Sequence, residues 1–92
     1  ITGGGFHENV PRALPEGLGA EVERGAWPEQ PVFSLVQASA GASDDDMFAT
    51  FNMGVGMVLV VDPDDADHVL DRAGETAYRI GRVVGGPGVH LV

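Results

Sequence analysis

The sequence predicts an α+β fold, a mixed β-sheet layered with α-helices, and three observations carry that expectation. Ala66, Val69, Leu70 and Ala73 fall at i, i+3, i+4 and i+7, the spacing of an amphipathic helix. Leu18, Ala20 and Val22 alternate with Gly19, Glu21 and Glu23, the period of a half-buried strand. Val58-Leu59-Val60-Val61 is an unbroken apolar run, which as a strand would lie in the middle of a sheet with both faces covered. The two periods succeed one another in the order β-loop-β-α-α-β-α-β-β, which implies a sheet layered with helices.

From the start of the chain, Ile1-Thr2 has the form of a strand tail entering Gly3-Gly4-Gly5, and a short helical turn follows. Leu14-Pro15-Glu16-Gly17 is a turn before the first full strand, and Gly25-Ala26-Trp27-Pro28 ends that strand. Pro31 stands in the first turn of a helix whose inward positions Val32, Leu35, Val36 and Ser39 follow the 3.6-residue period, and Gly41 ends it. Ser43 with Asp46 three residues on has the form of a capping box, opening a short helix with Met47, Phe48 and Phe51 on one side. Asp62-Pro63 stops the apolar run, acids crowd the start of the helix over residues 66–73, and Gly74 follows its end. Residues 77–84 resume as a strand. Gly85-Gly86-Pro87-Gly88 then turns the chain into a last strand over residues 89–92, in hairpin fashion.

Ninety-two residues make one domain at most. With 14 acidic residues against 5 basic ones, all arginine, the net charge is −9, which disfavours electrostatic binding to nucleic acid or an anionic membrane. The absence of cysteine excludes a disulfide framework and cysteine-based metal sites or nucleophiles. The longest apolar run is too short to span a bilayer and no charged-then-apolar leader opens the chain, so a soluble, cytoplasmic protein is expected. No initiator Met is present, and residues 1–92 are expected to be the latter part of something longer.

The densest gathering of polar groups beside bare backbone is residues 2–12. Gly3, Gly4 and Gly5 leave peptide N–H groups uncovered and allow φ > 0, as a backbone must to approach a phosphate or ribose closely. Glu8 and Asn9 add a carboxylate and an amide, Arg12 a fork of donors, and Pro11 stiffens the segment. A turn that merely lets two elements pack explains the glycines as well, and no Lys-Ser/Thr ending makes this a Walker loop. Gly54 and Gly56, with Asn52, flank the apolar run and mark either a crowded site or tight packing. Asp44, Asp45 and Asp46 have the composition of a Mg²⁺ site, but their position reads first as helix-start electrostatics. His7, His68 and His90 lack metal-ligand spacing, and Trp27 reads as a packing anchor. No Ser-His-Asp or His-Glu-x-x-His arrangement supports a hydrolase.

Thr2-Gly3-Gly4-Gly5, Glu8-Asn9, Pro11-Arg12, Leu14-Pro15, Trp27-Pro28, the run from Phe51-Asn52-Met53-Gly54 to Val55-Gly56-Met57, and Gly74-Glu75 with Tyr78 and Ile80-Gly81 closely resemble the carboxy-terminal part of the aminoimidazole ribonucleotide synthetase family. The resemblance covers nearly the whole chain in order. It implies the latter part of the carboxy-terminal domain of a two-domain, ATP-dependent cyclo-ligase of purine biosynthesis. Such an enzyme closes the imidazole ring of formylglycinamidine ribonucleotide through an iminophosphate. It further implies that an amino-terminal domain, absent from residues 1–92, supplies much of the ATP and Mg²⁺ site and a homodimer interface, while the glycine loop closes the substrate cleft. On that basis the substrate-binding residues are Thr2, Gly3, Gly4, Gly5, Glu8, Asn9, Arg12, Asn52 and Gly54. No catalytic role or metal ligand is assigned to this chain. Two positions depart from the family's pattern: Asp46-Met47-Phe48-Ala49-Thr50 stands where Glu-Met-x-Arg-Thr is usual, and His7 where a bulky apolar residue is usual.

Two other functions compete with this one. A related amide-phosphorylating synthetase shares the architecture and would differ in the substrate that stimulates ADP release. A non-catalytic binding or assembly module would use the glycines structurally and dock a partner on its apolar strand edges.

Overall fold

A computed structural model describes residues 1–74 and 76–92, so Glu75 of the Gly74-Glu75 pair lies outside the described residues. The elements run α1 (Gly5–Asn9), a 3₁₀ turn (Val10–Ala13), β1 (Leu18–Val22), α2 (Pro31–Ala40), α3 (Asp44–Thr50), a second 3₁₀ turn (Pro63–Asp65), α4 (Ala66–Ala73), β2 (Gly81–Gly85) and β3 (Gly88–Leu91). Helices set against a three-stranded mixed sheet make the α+β fold that the periodicities predict.

The core lies where α1 and α3 meet the sheet. Phe6 stacks on Trp27 with ring centroids 5.8 Å apart and tilts against Phe48 at 5.0 Å. Val10, Ala20, Val22, Met47 and Met53 complete the buried set. Burial of this aromatic cluster is the main apolar contribution holding the glycine-rich start of the chain onto the body. Trp27 is the packing anchor its sequence context suggests, and its indole N–H finds a partner in the Met53 carbonyl at 3.0 Å.

Ser43 caps α3 in a capping box with Asp46, and Gly41 ends α2 in the left-handed conformation, φ 64°. The inward face of α2 is different from the one the period predicts. Phe33 and Gln37 turn toward the body, Phe33 against Phe51 at 6.0 Å, while Leu35 is 68% exposed and Val32 also faces out. Helical spacing identifies the stripe, but the position of the neighbouring aromatic decides which stripe is buried.

Three strand expectations are corrected. Residues 58–61 form no strand; Met57 is 80% and Leu59 64% exposed, and no described strand lies beside the run to take up its N–H and C=O groups. An apolar run supplies propensity, whereas a strand needs a long-range partner. The strand expected over residues 77–84 begins only at Gly81, because β1 ends where Val22 pairs Gly81, with one further bond from the Glu23 N–H to the Ile80 carbonyl at 2.8 Å.

The expected hairpin of the last two strands is absent. The sheet order is β2-β1-β3, with β1 antiparallel to β2 and parallel to β3. The connection at Gly86-Pro87 steps across the start of β1, where the Gly86 N–H donates to the Gly17 carbonyl at 3.0 Å. Gly19 makes this possible, since a Cβ there would run into the carbonyl oxygens of Gly86 and Gly88.

Candidate functional site

The three glycines do three different things. Gly4 is the residue before α1 and sits at φ 92°, ψ −4°, a left-handed conformation that a side chain would strain. Gly5 has φ 58° and is buried, and a Cβ there would overlap the Phe48 carbonyl oxygen and lie 2.8 Å from that of Phe51. Gly3 is exposed, has no positive φ, and a Cβ on it would meet nothing within 4 Å. Packing therefore accounts for Gly5 and backbone shape for Gly4, while nothing in the fold requires glycine at position 3.

Around these residues the carbonyls are occupied and several N–H groups are not. Gly5 N–H donates to the Thr2 carbonyl at 3.0 Å and Glu8 N–H to that of Gly4 at 3.3 Å. The Asn9 amide donates toward the carbonyls of Thr2 and Gly3 at 3.2 Å and of Gly5 at 2.8 Å. Among the described residues, neither the Gly3 nor the Gly4 N–H has a partner. An exposed loop with two uncommitted donors can accept an oxygen of a ligand without displacing protein contacts.

Glu8 is exposed, and its side chain lies over the Cα of Gly4, so a carboxylate borders the free donors. Such a neighbour favours a group that both accepts and donates, such as a ribose hydroxyl, over a bare phosphate. Arg12 is exposed on the 3₁₀ turn, and no hydrogen bond or ion pair ties it to the loop.

Asn52 and Gly54 form a tight turn beside the loop. The Val55 N–H donates to the Asn52 carbonyl at 2.9 Å and the Gly54 N–H to Asn52 Oδ1 at 2.8 Å. Met53 at φ 53° and Gly54 at φ 88° give the turn its primed shape. Through the contact of Gly5 with the Phe51 carbonyl, this turn and the glycine loop are packed together. A small cavity of about 250 Å³ lies between Asn9, Val10 and Ala13 on one side and Gly56, Val58 and Val60 on the other.

A larger cleft of about 510 Å³ lies elsewhere and is lined by Arg24, Trp27, Glu29, Gln37, Asp44 and Met53 among others. Its polar groups satisfy one another. Arg24 pairs with Asp44, Gln37 donates to Asp44 at 2.8 Å, and the Ser34 hydroxyl donates to Glu29 at 2.8 Å. This cleft is the larger of the two, but these polar groups are paired with one another, whereas the glycine loop keeps two donors unpaired among the described residues.

The three aspartates are taken up by protein. The Gln37 hydrogen bond, and then the Arg24 guanidinium, hold the Asp44 carboxyl below its usual range. Asp45 lies 3.3 Å from His7 Nε2, and Asp46 completes the capping box with Ser43. Helix-start electrostatics describe them, and among the described residues no cluster of three His, Asp or Glu side chains could hold a metal ion. These residues do not fit a Mg²⁺ site. The His7–Asp45 contact, which links α1 to α3, was invisible in the sequence because nothing local announces that the two helices meet. No helix among the described residues is long and apolar enough to cross a membrane.

The family described as AIR synthase related protein, C-terminal domain, matches residues 1–92. A phosphoribosylformylglycinamidine cyclo-ligase of Bacillus cereus (strain G9842) is 55% identical over 97% of this chain and 27% of its own length. Proteins of the same name from Bacillus thuringiensis (strain Al Hakam) and Bacillus anthracis are 54% identical over the same shares. The chain thus spans only 27% of the length of the curated relatives it matches.

Proposed function

The chain belongs to the AIR synthase related protein family through its C-terminal domain, and from that premise we propose that it is the substrate-cleft part of an ATP-dependent phosphoribosylformylglycinamidine cyclo-ligase of purine biosynthesis. The observation that carries this reading is the pair of uncommitted N–H groups on Gly3 and Gly4, set on an open loop whose carbonyls are already engaged.

In the proposed reaction the terminal phosphoryl group of ATP passes to the amide oxygen of formylglycinamidine ribonucleotide, giving ADP and an iminophosphate. The substrate's own nitrogen then attacks that carbon, the C–O bond breaks, phosphate leaves and the imidazole ring closes. The chemistry depends on holding one flexible nucleotide in the reactive conformation, which is a task of positioning. Gly3 and Gly4 donate to a substrate oxygen, Glu8 accepts from a hydroxyl or amidine nitrogen, and Arg12 approaches the substrate phosphate. Thr2, Gly5, Asn52 and Gly54 shape the wall. ATP and Mg²⁺ are held mostly by parts of the longer protein outside residues 1–92, which also supply a homodimer interface in a cytoplasmic enzyme.

Steady-state kinetics test the reading. The full-length protein should release ADP with formylglycinamidine ribonucleotide, residues 1–92 alone should not, and Gly4→Val in the full-length protein should depress kcat/KM strongly. Turnover by residues 1–92 alone would overturn the dependence on a longer protein. Stimulation of ADP release by a different amide, and not by this nucleotide, would favour a related amide-phosphorylating synthetase.

A further inference from the structure

The family resemblance places Asn9 among the substrate-binding residues, and in the structure its amide N–H groups donate to the loop. A primary amide has two N–H groups and Asn9 divides them among three loop carbonyls, those of Thr2, Gly3 and Gly5. The reverse orientation would set Oδ1 against three carbonyl oxygens, so the network fixes which side of the amide faces the loop. No N–H of Asn9 is left for a ligand.

The consequence follows from the planar trans peptide, in which C=O and N–H point in opposite directions. With the Thr2 and Gly3 carbonyls turned toward Asn9, the N–H groups in the same two peptide units, those of Gly3 and Gly4, face away from it. These are the two donors without a partner among the described residues. Aspartate has the same shape with no N–H to give, serine has one hydroxyl proton, and alanine has none. Among short side chains, only asparagine brings two donors to this point.

We propose that Asn9 is a positioning residue, which gathers the loop carbonyls on one side and thereby aims the Gly3 and Gly4 N–H groups at the nucleotide. This rests on the reading above, that the loop meets the substrate. Asn9 acts through the backbone, and its amide N–H groups are committed to the loop and not to the ligand.

The test uses the full-length protein labelled with ¹⁵N-glycine, in wild-type form and with Asn9→Ser, Asn9→Asp and Asn9→Ala. Without ligand, amide exchange at Gly5, whose N–H is bonded to the Thr2 carbonyl, should accelerate about 10- to 100-fold in Asn9→Ala and Asn9→Asp and less in Asn9→Ser, while Gly19 keeps the wild-type rate. In the same variants kcat/KM for formylglycinamidine ribonucleotide should fall about 10- to 100-fold in the same order, with KM for ATP within about twofold of wild type.

Unchanged loop exchange with lost kcat/KM would mean that Asn9 touches the nucleotide, and would overturn the proposal. Altered loop exchange with unchanged kinetics would overturn it too. If Asn9→Ala also accelerates Gly19, Asn9→Ser decides by the same two readouts. Failure of the underlying reading has its own signature: saturating nucleotide would leave the Gly3 and Gly4 resonances of the wild-type protein unmoved.

Discussion

Replacing Gly5 and Gly3 separately by alanine divides the glycine loop into a part that folding needs and a part that it does not. At Gly5, φ of 58° places a side chain in the left-handed region, which costs about 1–2 kcal/mol. The new methyl group would also overlap the Phe48 carbonyl and lie 2.8 Å from that of Phe51, and forcing α1 off α3 to relieve this adds about 1–3 kcal/mol. A stiffer unfolded chain returns about 0.4–1 kcal/mol, so Gly5→Ala should destabilise by about 1–5 kcal/mol. At Gly3 there is no positive φ and nothing within 4 Å of the added carbon, so stability should stay within about 0.5 kcal/mol of wild type or rise slightly. The assay is urea unfolding of the full-length protein monitored by Trp27 fluorescence, comparing midpoints at equal slope. Gly3→Ala should nevertheless lower kcat/KM, because the methyl group enters the space left open beside the free donors. The reasoning is refuted if Gly5→Ala proves no less stable than Gly3→Ala.

Trp27→Phe removes the hydrogen bond to the Met53 carbonyl in a buried setting, and unfolding by urea should show a loss of about 1–3 kcal/mol; a neutral substitution would mean that the turn at Met53 does not depend on it. Gly19→Val should prevent Gly86-Pro87 from crossing β1, so amide exchange should lose its protection in β2 and β3 together; loss in one strand alone would contradict the shared crossing. Asp44 has its folded pKa lowered from 3.8, first by Gln37 and then by Arg24. A lowered value means its stabilising contribution is complete above the unfolded pKa and disappears as pH falls through the folded one. The stability gap between wild type and Asp44→Asn should therefore hold steady at neutral pH and close on acidification below 3.8 in pH-dependent melts; a gap that widens in acid would contradict it. The Arg12 side chain makes no hydrogen bond or ion pair among the described residues, so Arg12→Ala should leave the melting temperature within about 2 °C, while calorimetry with formylglycinamidine ribonucleotide should show weaker binding.

What the sequence made legible is what neighbouring residues decide among themselves. The Ser43–Asp46 capping box, Gly41 as the left-handed end of α2, and the amphipathic spacing of α4 are all settled within a turn or two of chain, and all appear where expected. What it hid depends on elements far apart in sequence. Residues 58–61 have the composition of a central strand, but a strand is made by its partners. The inward face of α2 is chosen by Phe51, and the order β2-β1-β3 by a side chain that Gly19 does not have. The site follows the same division. The glycines and polar residues over positions 2–12 could be picked out by composition, whereas the inward commitment of Asn9 and the link between His7 and Asp45 exist only once α1 is folded back on its loop and packed on α3.

A crystal structure of the full-length protein with formylglycinamidine ribonucleotide bound is the most direct measurement. It should place an oxygen of the nucleotide about 3 Å from the backbone nitrogens of Gly3 and Gly4, with the Asn9 amide still turned to the loop carbonyls. A nucleotide seated elsewhere, with those two nitrogens facing solvent or sealed against protein, would contradict it.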